Sequence, residues 1–251
     1  NIIGIFNPKK KREKNFRGGM RGNLKADYSS LKDLNAAFTL KDFFLMRKDV
    51  HCFIDKKQEV SINKGDLSSL RLDILGPFCH LKVEGEGHLS RKFSVESKVK
   101  TSFNLLEIFY PFIEKSNGAL NIEGKFHGNA PRYFTDIHHQ FDFFSSDFST
   151  KLDFLPANLD SAELKASWVN NIFTLHKLNG HLGGGKLKSK GTVELIESAM
   201  PKVHYDFSMK ESSFSLFDYS SFVATGEGVI TGDKYPYLLT GNFFVNKGLM
   251  A

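Results

Sequence analysis

The sequence predicts an all-β protein with at most short helices, and three observations point there. Across 117–195, apolar and polar side chains alternate with a period of two. The alternating runs are separated by Gly, Asn, Asp or Pro, the residues that turn a chain. Glycine-led segments also recur, each heading such a run: Arg21-Gly22-Asn23-Leu24, Asn117-Gly118-Ala119-Leu120 and Thr225-Gly226-Glu227-Gly228-Val229. Successive side chains of a strand point to opposite faces, so each run reads as a strand with one apolar and one polar face.

Taken in order, Leu24, Ala26 and Tyr28 oppose Lys25 and Asp27, and Leu34, Ala36, Phe38 and Leu40 share the next parity. Residues 43–55 form an apolar run broken by Arg47-Lys48-Asp49. Val60 and Ile62 make a short strand before a turn at Asn63-Lys64-Gly65-Asp66. Leu70, Leu72 and Ile74 alternate with Arg71 and Asp73 until Gly76-Pro77 stops them. Leu81 and Val83 lead into Gly85-Glu86-Gly87, after which Phe93, Val95, Val99 and Phe103 oppose Ser94, Glu96, Lys98 and Lys100. Leu105, Leu106, Ile108, Phe109, Phe112 and Ile113 form an apolar stripe at helical spacing, so a short helix is expected over 105–115. Pro111 would kink it and Asn117-Gly118 would end it.

Leu120, Ile122 and Phe126 then oppose Asn121, Glu123 and Lys125. Phe141 and Phe143 share one parity while Phe148, Leu152 and Phe154 share the other, which predicts a bulge or bend between them. Pro156-Ala157-Asn158 turns the chain, Leu164, Ala166 and Trp168 alternate up to Asn170-Asn171, and Phe173 and Leu175 resume. Leu187, Val193 and Leu195 oppose Lys186, Lys188, Lys190, Thr192 and Glu194. After Pro201, Val203, Tyr205, Phe207 and Met209 oppose His204, Asp206, Ser208 and Lys210 in the cleanest strand pattern of the chain. The glycine-led segments lie about a hundred residues apart, which suggests a quasi-one-dimensional β architecture of stacked units. The units read as 1–117, 118–225 and the start of a third at 226–251.

With 41% apolar and 25% charged residues, the 251-residue chain has the composition of a folded soluble protein. Phenylalanine is the outlier at 25 residues, and it serves either a Phe-rich core or a surface for an apolar ligand. The net charge of +6 suits an acidic partner or simply a solvated lysine-rich surface. The one dense basic run, Lys9-Lys10-Lys11-Arg12-Glu13-Lys14, lacks the aromatic interleaving or recognition helix of a nucleic-acid site. No apolar run reaches the roughly 20 residues of a membrane-spanning helix, and no signal-peptide pattern opens the chain. The start at Asn1 reads as that of an internal piece of a longer protein, whose anchor would lie outside it.

Several motifs invite a chemical reading. Gly180-His181-Leu182-Gly183-Gly184-Gly185-Lys186 fits the spacing of a phosphate-binding loop, but Leu187 stands where Ser or Thr would bind magnesium. A strand rather than a helix follows, so no helix dipole would hold phosphate, and a hairpin turn is the better reading. His138 and His139 are adjacent on a strand and face opposite ways, which prevents them from sharing a metal. Cys52 and Cys79 have no CxxC partner or spaced His pair; they read as small buried residues or one disulfide. No nucleophile elbow or acid–base pair emerges, so the chain reads as a non-enzyme without cofactor or metal.

The segments Leu105-Leu106-Glu107-Ile108-Phe109-Tyr110-Pro111-Phe112-Ile113, Gly118 to Gly124 and His127-Gly128-Asn129-Ala130-Pro131 together resemble the repeat pattern of the TamB and AsmA-like family. Leu182 to Val193 resembles the glycine-then-strand ending of that pattern, and Thr225 to Gly241 repeats its opening. The resemblance spans roughly 18–248. It implies a long, curved, antiparallel-rich sheet forming an open half-pipe, a β-taco-like groove with a hydrophobic concave face. It further implies the periplasm of a Gram-negative bacterium, inner-membrane anchoring through a segment absent here, and phospholipids as partners. An outer-membrane barrel of the TamA type, and a role in outer-membrane protein assembly, come with the same resemblance.

On that basis the first functional expectation is a lipid conduit between the two membranes, without catalysis. Its groove lining would be Phe93, Val95, Val99, Leu120, Ile122, Phe126, Leu187, Val193, Leu195, Val203, Tyr205, Phe207 and Met209. Each methylene moved from water to an apolar wall gains about 0.8 kcal/mol, so such a face could hold tails outside a membrane. The alternative is a structural or adhesive β-sandwich or solenoid whose apolar face meets itself in a closed core.

Overall fold

The computed structural model describes residues 16–27, 30, 33–47, 50–54, 56–76, 79–105, 107, 113–129, 136–152, 157–196, 200–216 and 220–250. Period-two alternation produces strands nearly everywhere it occurs. In chain order they are β1 (Phe16–Asp27), β2 (Asn35–Arg47), β3 (Val50–Phe53), β4 (Gln58–Ile62), β5 (Arg71–Gly76), β6 (Cys79–Gly87), β7 (Lys92–Ser102) and β8 (Ile113–Asn129). There follow β9 (His138–Leu152), β10 (Leu159–Val169), β11 (Ile172–Leu182), β12 (Gly185–Glu194), β13 (Lys202–Leu216), β14 (Ser220–Gly232) and β15 (Leu238–Met250). Among the described residues the fold is 82% strand and 3% helix.

Strands β5 to β15 form one eleven-stranded antiparallel sheet in strict chain order, each strand paired to the one before it. Short turns dictate this meander. Gly183 and Gly184 take φ of 56° and 80° between β11 and β12, the left-handed geometry of a tight hairpin. Asn170, at φ 50°, does the same between β10 and β11. The sheet is not closed into a barrel, and its shape is that of an open half-pipe. A smaller sheet of β1, β2, β3 and β4 has both β3 and β4 paired to different ends of β2. It abuts β5: the Gln58 carboxamide oxygen accepts the Asp73 N–H at 3.2 Å, and Ser69 Oγ donates to the Ser61 carbonyl at 2.9 Å. Ile62 of β4 packs against the buried cluster of Leu67, Leu89 and Phe93, as does Val95 of β7, so the two sheets share an apolar cluster.

Several expectations meet the structure only in part. Of the helix expected over 105–115, Leu105 closes a 3-10 turn at Phe103–Leu105, Glu107 is helical, and Ile113–Lys115 already belong to β8. Residues 106 and 108–112 lie outside the described residues. Asn117-Gly118 therefore ends no helix; Gly118, at φ 110°, sits in β8 where the ladder with β9 slips, pressed against Phe148. Likewise Gly22 and Gly226 lie inside β1 and β14 rather than at strand starts. The expected unit boundaries at 117/118 and 225/226 accordingly fall within strands of one continuous sheet. The Lys9–Lys14 run, Phe154 and Pro156 lie outside the described residues.

Candidate functional site

Antiparallel partners put their side chains on the same face, so the register shows how the faces are composed. One row of partners crosses all eleven strands: Ile74–Leu81–Val99–Ile122–Phe143–Ala166–Leu175–Gly191–Tyr205–Ile230–Leu239. The row one residue away points to the other side and reads Asp73–Lys82–Lys98–Glu123–Asp142–Ser167–Thr174–Thr192–His204–Thr231–Leu238. The sheet thus has an apolar and a polar face over its whole width. Ten gaps between strands at about 4.8 Å make the apolar track roughly 48 Å long.

Of the thirteen residues expected to line a groove, twelve stand on this face. Phe93 and Val95 pair with Gly128 and Phe126; Leu120 pairs with Thr101. Leu187 faces Met209, Val193 faces Val203, and Phe207 faces Ser189. Leu195 is the exception: β12 ends at Glu194, and Leu195 projects beyond the strand, 43% exposed. Phe103 and Phe148 belong to the face too, with rings stacked at 4.4 Å, and the sequence pattern did not bring them together. Phe144 does the reverse: it pairs with Asn121 and Lys165 on the polar face, exposed, because the predicted bulge in β9 lies just after it.

Glycines set the texture of the apolar face. Gly228 stands between Phe207 and Phe243, whose centroids are 6.0 Å apart, and a Cβ there would lie 2.9 Å from the Phe207 ring. At Gly191 a Cβ would meet the His204 carbonyl at 2.5 Å and the Tyr205 ring at 2.9 Å. Aromatic rings therefore lie down over bare backbone at these two glycines. Most of its side chains remain partly accessible, including Val95, Ile122, Phe143, Val203, Phe207 and Met209.

Two features interrupt the track. Over β8 to β10, Phe103 joins Leu120, Phe148, Leu159 and Ala162 in a buried cluster, so the 3-10 turn roofs the face there. The buried Glu107 carboxylate holds that turn by accepting the Ser116 N–H at 2.6 Å, while Ser116 Oγ donates to the Phe103 carbonyl at 2.8 Å. The second feature is Tyr205, whose hydroxyl donates to Ser189 Oγ at 2.7 Å. Burial pushes the Tyr205 phenol above its usual range, and the Ser189 bond opposes this in part.

The polar face carries lysines singly and in cross-strand pairs: Lys186 faces Lys210, and Lys165 faces Lys177, which bonds Glu163 at 2.6 Å. Over β11 to β15 this face forms a shallow recess of about 490 Å³, bordered by Lys188, Lys190, Asp206, Glu227 and Asn242. His138 pairs with His127 and His139 with Phe126, on opposite faces as expected. Among the described residues no group of His, Cys, Asp or Glu could hold a metal. Cys52 lies in β3 and Cys79 in β6, on different sheets. No helix among the described residues is long and apolar enough to cross a membrane. No protein-family model, curated protein or solved structure matches the chain.

Proposed function

We propose that the apolar face shields the acyl chains of phospholipids, as a binding and transfer surface that performs no reaction. The observation behind this is the row from Ile74 to Leu239, apolar or glycine at every strand but for the Tyr205 hydroxyl, on a sheet that does not close. A track about 48 Å long across the strands is longer than an extended acyl chain and could hold one along its whole length, and contact with it offsets about 0.8 kcal/mol of hydration cost per covered methylene. Tails would lie along the track while headgroups stay in water at its rim, where lysines favour anionic ones. A setting between two membranes, an inner-membrane anchor and a barrel partner of the TamA type enter through the sequence resemblance and complete the proposal.

The test is native mass spectrometry of the purified chain for co-purified phospholipid, joined to photo-crosslinking along β13. Crosslinkers at 205, 207 and 209 should trap lipid, and those at 204, 206 and 208 should not. Equal trapping on both parities, or a protein free of lipid, would refute the proposal in favour of a purely structural β protein.

A further inference from the structure

Because neighbouring strands run antiparallel, the connections β10–β11, β12–β13 and β14–β15 all leave the large sheet along the same rim. All three carry exposed apolar side chains. Val169 and Ile172 flank the turn at Asn170-Asn171 and pair across it, 43% and 41% exposed. Leu195, Ile196 and Met200 stand between β12 and β13, and Tyr235 and Leu238 border the start of β15. The first connection lies four strand spacings from the third, about 19 Å. The β11–β12 turn on the opposite rim differs, for Leu182 is buried there and Gly183-Gly184 have no side chains. Main-chain oxygens at the three tips are occupied from within. The Asn170 carbonyl accepts the Trp168 Nε1–H and the His139 Nε2–H, each at 2.7 Å. The Asn171 carbonyl accepts the Leu195 N–H at 2.8 Å, and the Leu195 carbonyl accepts from Asn171 Nδ2 at 3.2 Å. The Pro201 carbonyl accepts the Tyr237 hydroxyl at 2.9 Å. Surface connections ordinarily leave such groups to water, whereas here they lace one connection to the next.

We infer that this laced rim docks into the interfacial layer of a zwitterionic phospholipid bilayer. Three points set that occupant. First, hydrocarbon offers no hydrogen bonds, so backbone that enters it must be satisfied internally, as the carbonyls of Asn170, Asn171, Leu195 and Pro201 are. Second, apolar side chains clothe both sides of the rim. Val169 and Ile172 stand on the polar face, in a row with Gln140 and Glu194, while Leu195 extends the line of Val193 on the apolar face. A folded partner would need a slot to embrace such a rim, whereas fluid acyl chains close around it. Third, the charges bordering the tips balance, Lys202 and Lys234 against Glu194 and Asp233, which complements a headgroup carrying both a phosphate and an ammonium. Trp168, Tyr235 and Tyr237 stand at the same rim, and apolar rings with a polar tip settle where a membrane meets water. Docking uses the rim and tail shielding uses the face, so the inference stands independently of the lipid-shielding proposal.

The test is flotation of the full chain with phosphatidylcholine vesicles, joined to the emission of Trp168, the chain's one tryptophan. The chain should float with the vesicles at low and at high salt. Trp168 emission should shift to the blue and be quenched by lipids brominated in the acyl chain. Joint substitution of Val169→Asp and Ile172→Asp should lower vesicle affinity by at least about 100-fold, because carboxylates at the tip hold on to their water. Lys186→Asp, beside the turn on the opposite rim, should leave the affinity unchanged. Ile196→Asp with Met200→Asp repeats the test at exposed positions outside the strands, and circular dichroism checks the fold of each variant. Val169 and Ile172 lie off the apolar face, so a variant that no longer floats yet still co-purifies with phospholipid separates docking from tail shielding. A wild-type chain that stays in solution, or flotation abolished by salt, would overturn the inference. So would folded variants of both pairs that float like the wild type.

Discussion

Replacing Phe207 with Asp tests the lipid track at a point where the geometry sets the expected size. Phe207 sits in the middle of β13, its ring 6.2 Å from Tyr205 and 6.0 Å from Phe243, over the bare backbone of Gly228. The ring is partly accessible, so its loss costs the fold less than the 3–5 kcal/mol of a fully buried Phe truncation, about 1–2 kcal/mol. A tail crossing that position meets a carboxylate that must shed water, at several kcal/mol, and loses the ring contact as well. A net penalty of about 3 kcal/mol corresponds to more than about a 100-fold loss of lipid affinity or transfer rate. Ser208→Asp places the same charge one residue away on the exposed polar face, opposite Lys188 and Glu227, and should change binding by less than about 1 kcal/mol. The assay is transfer of a fluorescent phospholipid between vesicles, with thermal unfolding of each variant as the control on folding. Phe207→Asp that folds normally and still transfers lipid at the wild-type rate would refute the reasoning.

Further outcomes follow from particular contacts. Ser116→Ala removes one donor from the buried Glu107 and leaves the Phe103 carbonyl without its hydroxyl, so urea unfolding should show a loss of about 1–3 kcal/mol. An unchanged midpoint would mean that the turn over the track is not held by this network. Gly191→Val drives a side chain into the His204 carbonyl, which is backbone and cannot move aside, so it should destabilise by at least about 2 kcal/mol. Gly228→Ala should cost less, because the atoms it meets are ring ends of Phe207 and Phe243. Finally, the Tyr205 phenol is raised above its unfolded value, so its contribution to stability is whole below the unfolded pKa. It is lost as pH climbs through the folded one. Ultraviolet titration should find a late-ionising tyrosine that disappears in Tyr205→Phe, and added phospholipid should delay it further; a titration unchanged by that substitution would contradict this placement.

Alternation with a period of two is a local property, so it marks in the sequence which stretches are strands and which side of each is apolar. It also located turns, because the left-handed backbone of a tight turn demands Gly or Asn, as at Gly183-Gly184 and Asn170. The bulge in β9 was visible as the parity switch after Phe143, since a slip of one residue exchanges the faces. The end of the expected helix was placed too late, because apolar spacing is ambiguous near a boundary: Glu107 is helical, but the strand has begun by Ile113.

Other features depend on which residues become partners, and pairing couples positions far apart in the chain. Register alone aligned Ile74 with Leu239 at the two ends of one row, stopped β12 before Leu195, and placed Gly118 at a ladder slip. It brought the Phe103 ring onto Phe148, forty-five positions away in sequence, and buried the Ser145 and Ser212 hydroxyls with no hydrogen-bond partner. The recess on the polar face belongs to the same class. Twist and edges are properties of a whole sheet, and no single strand's sequence contains them.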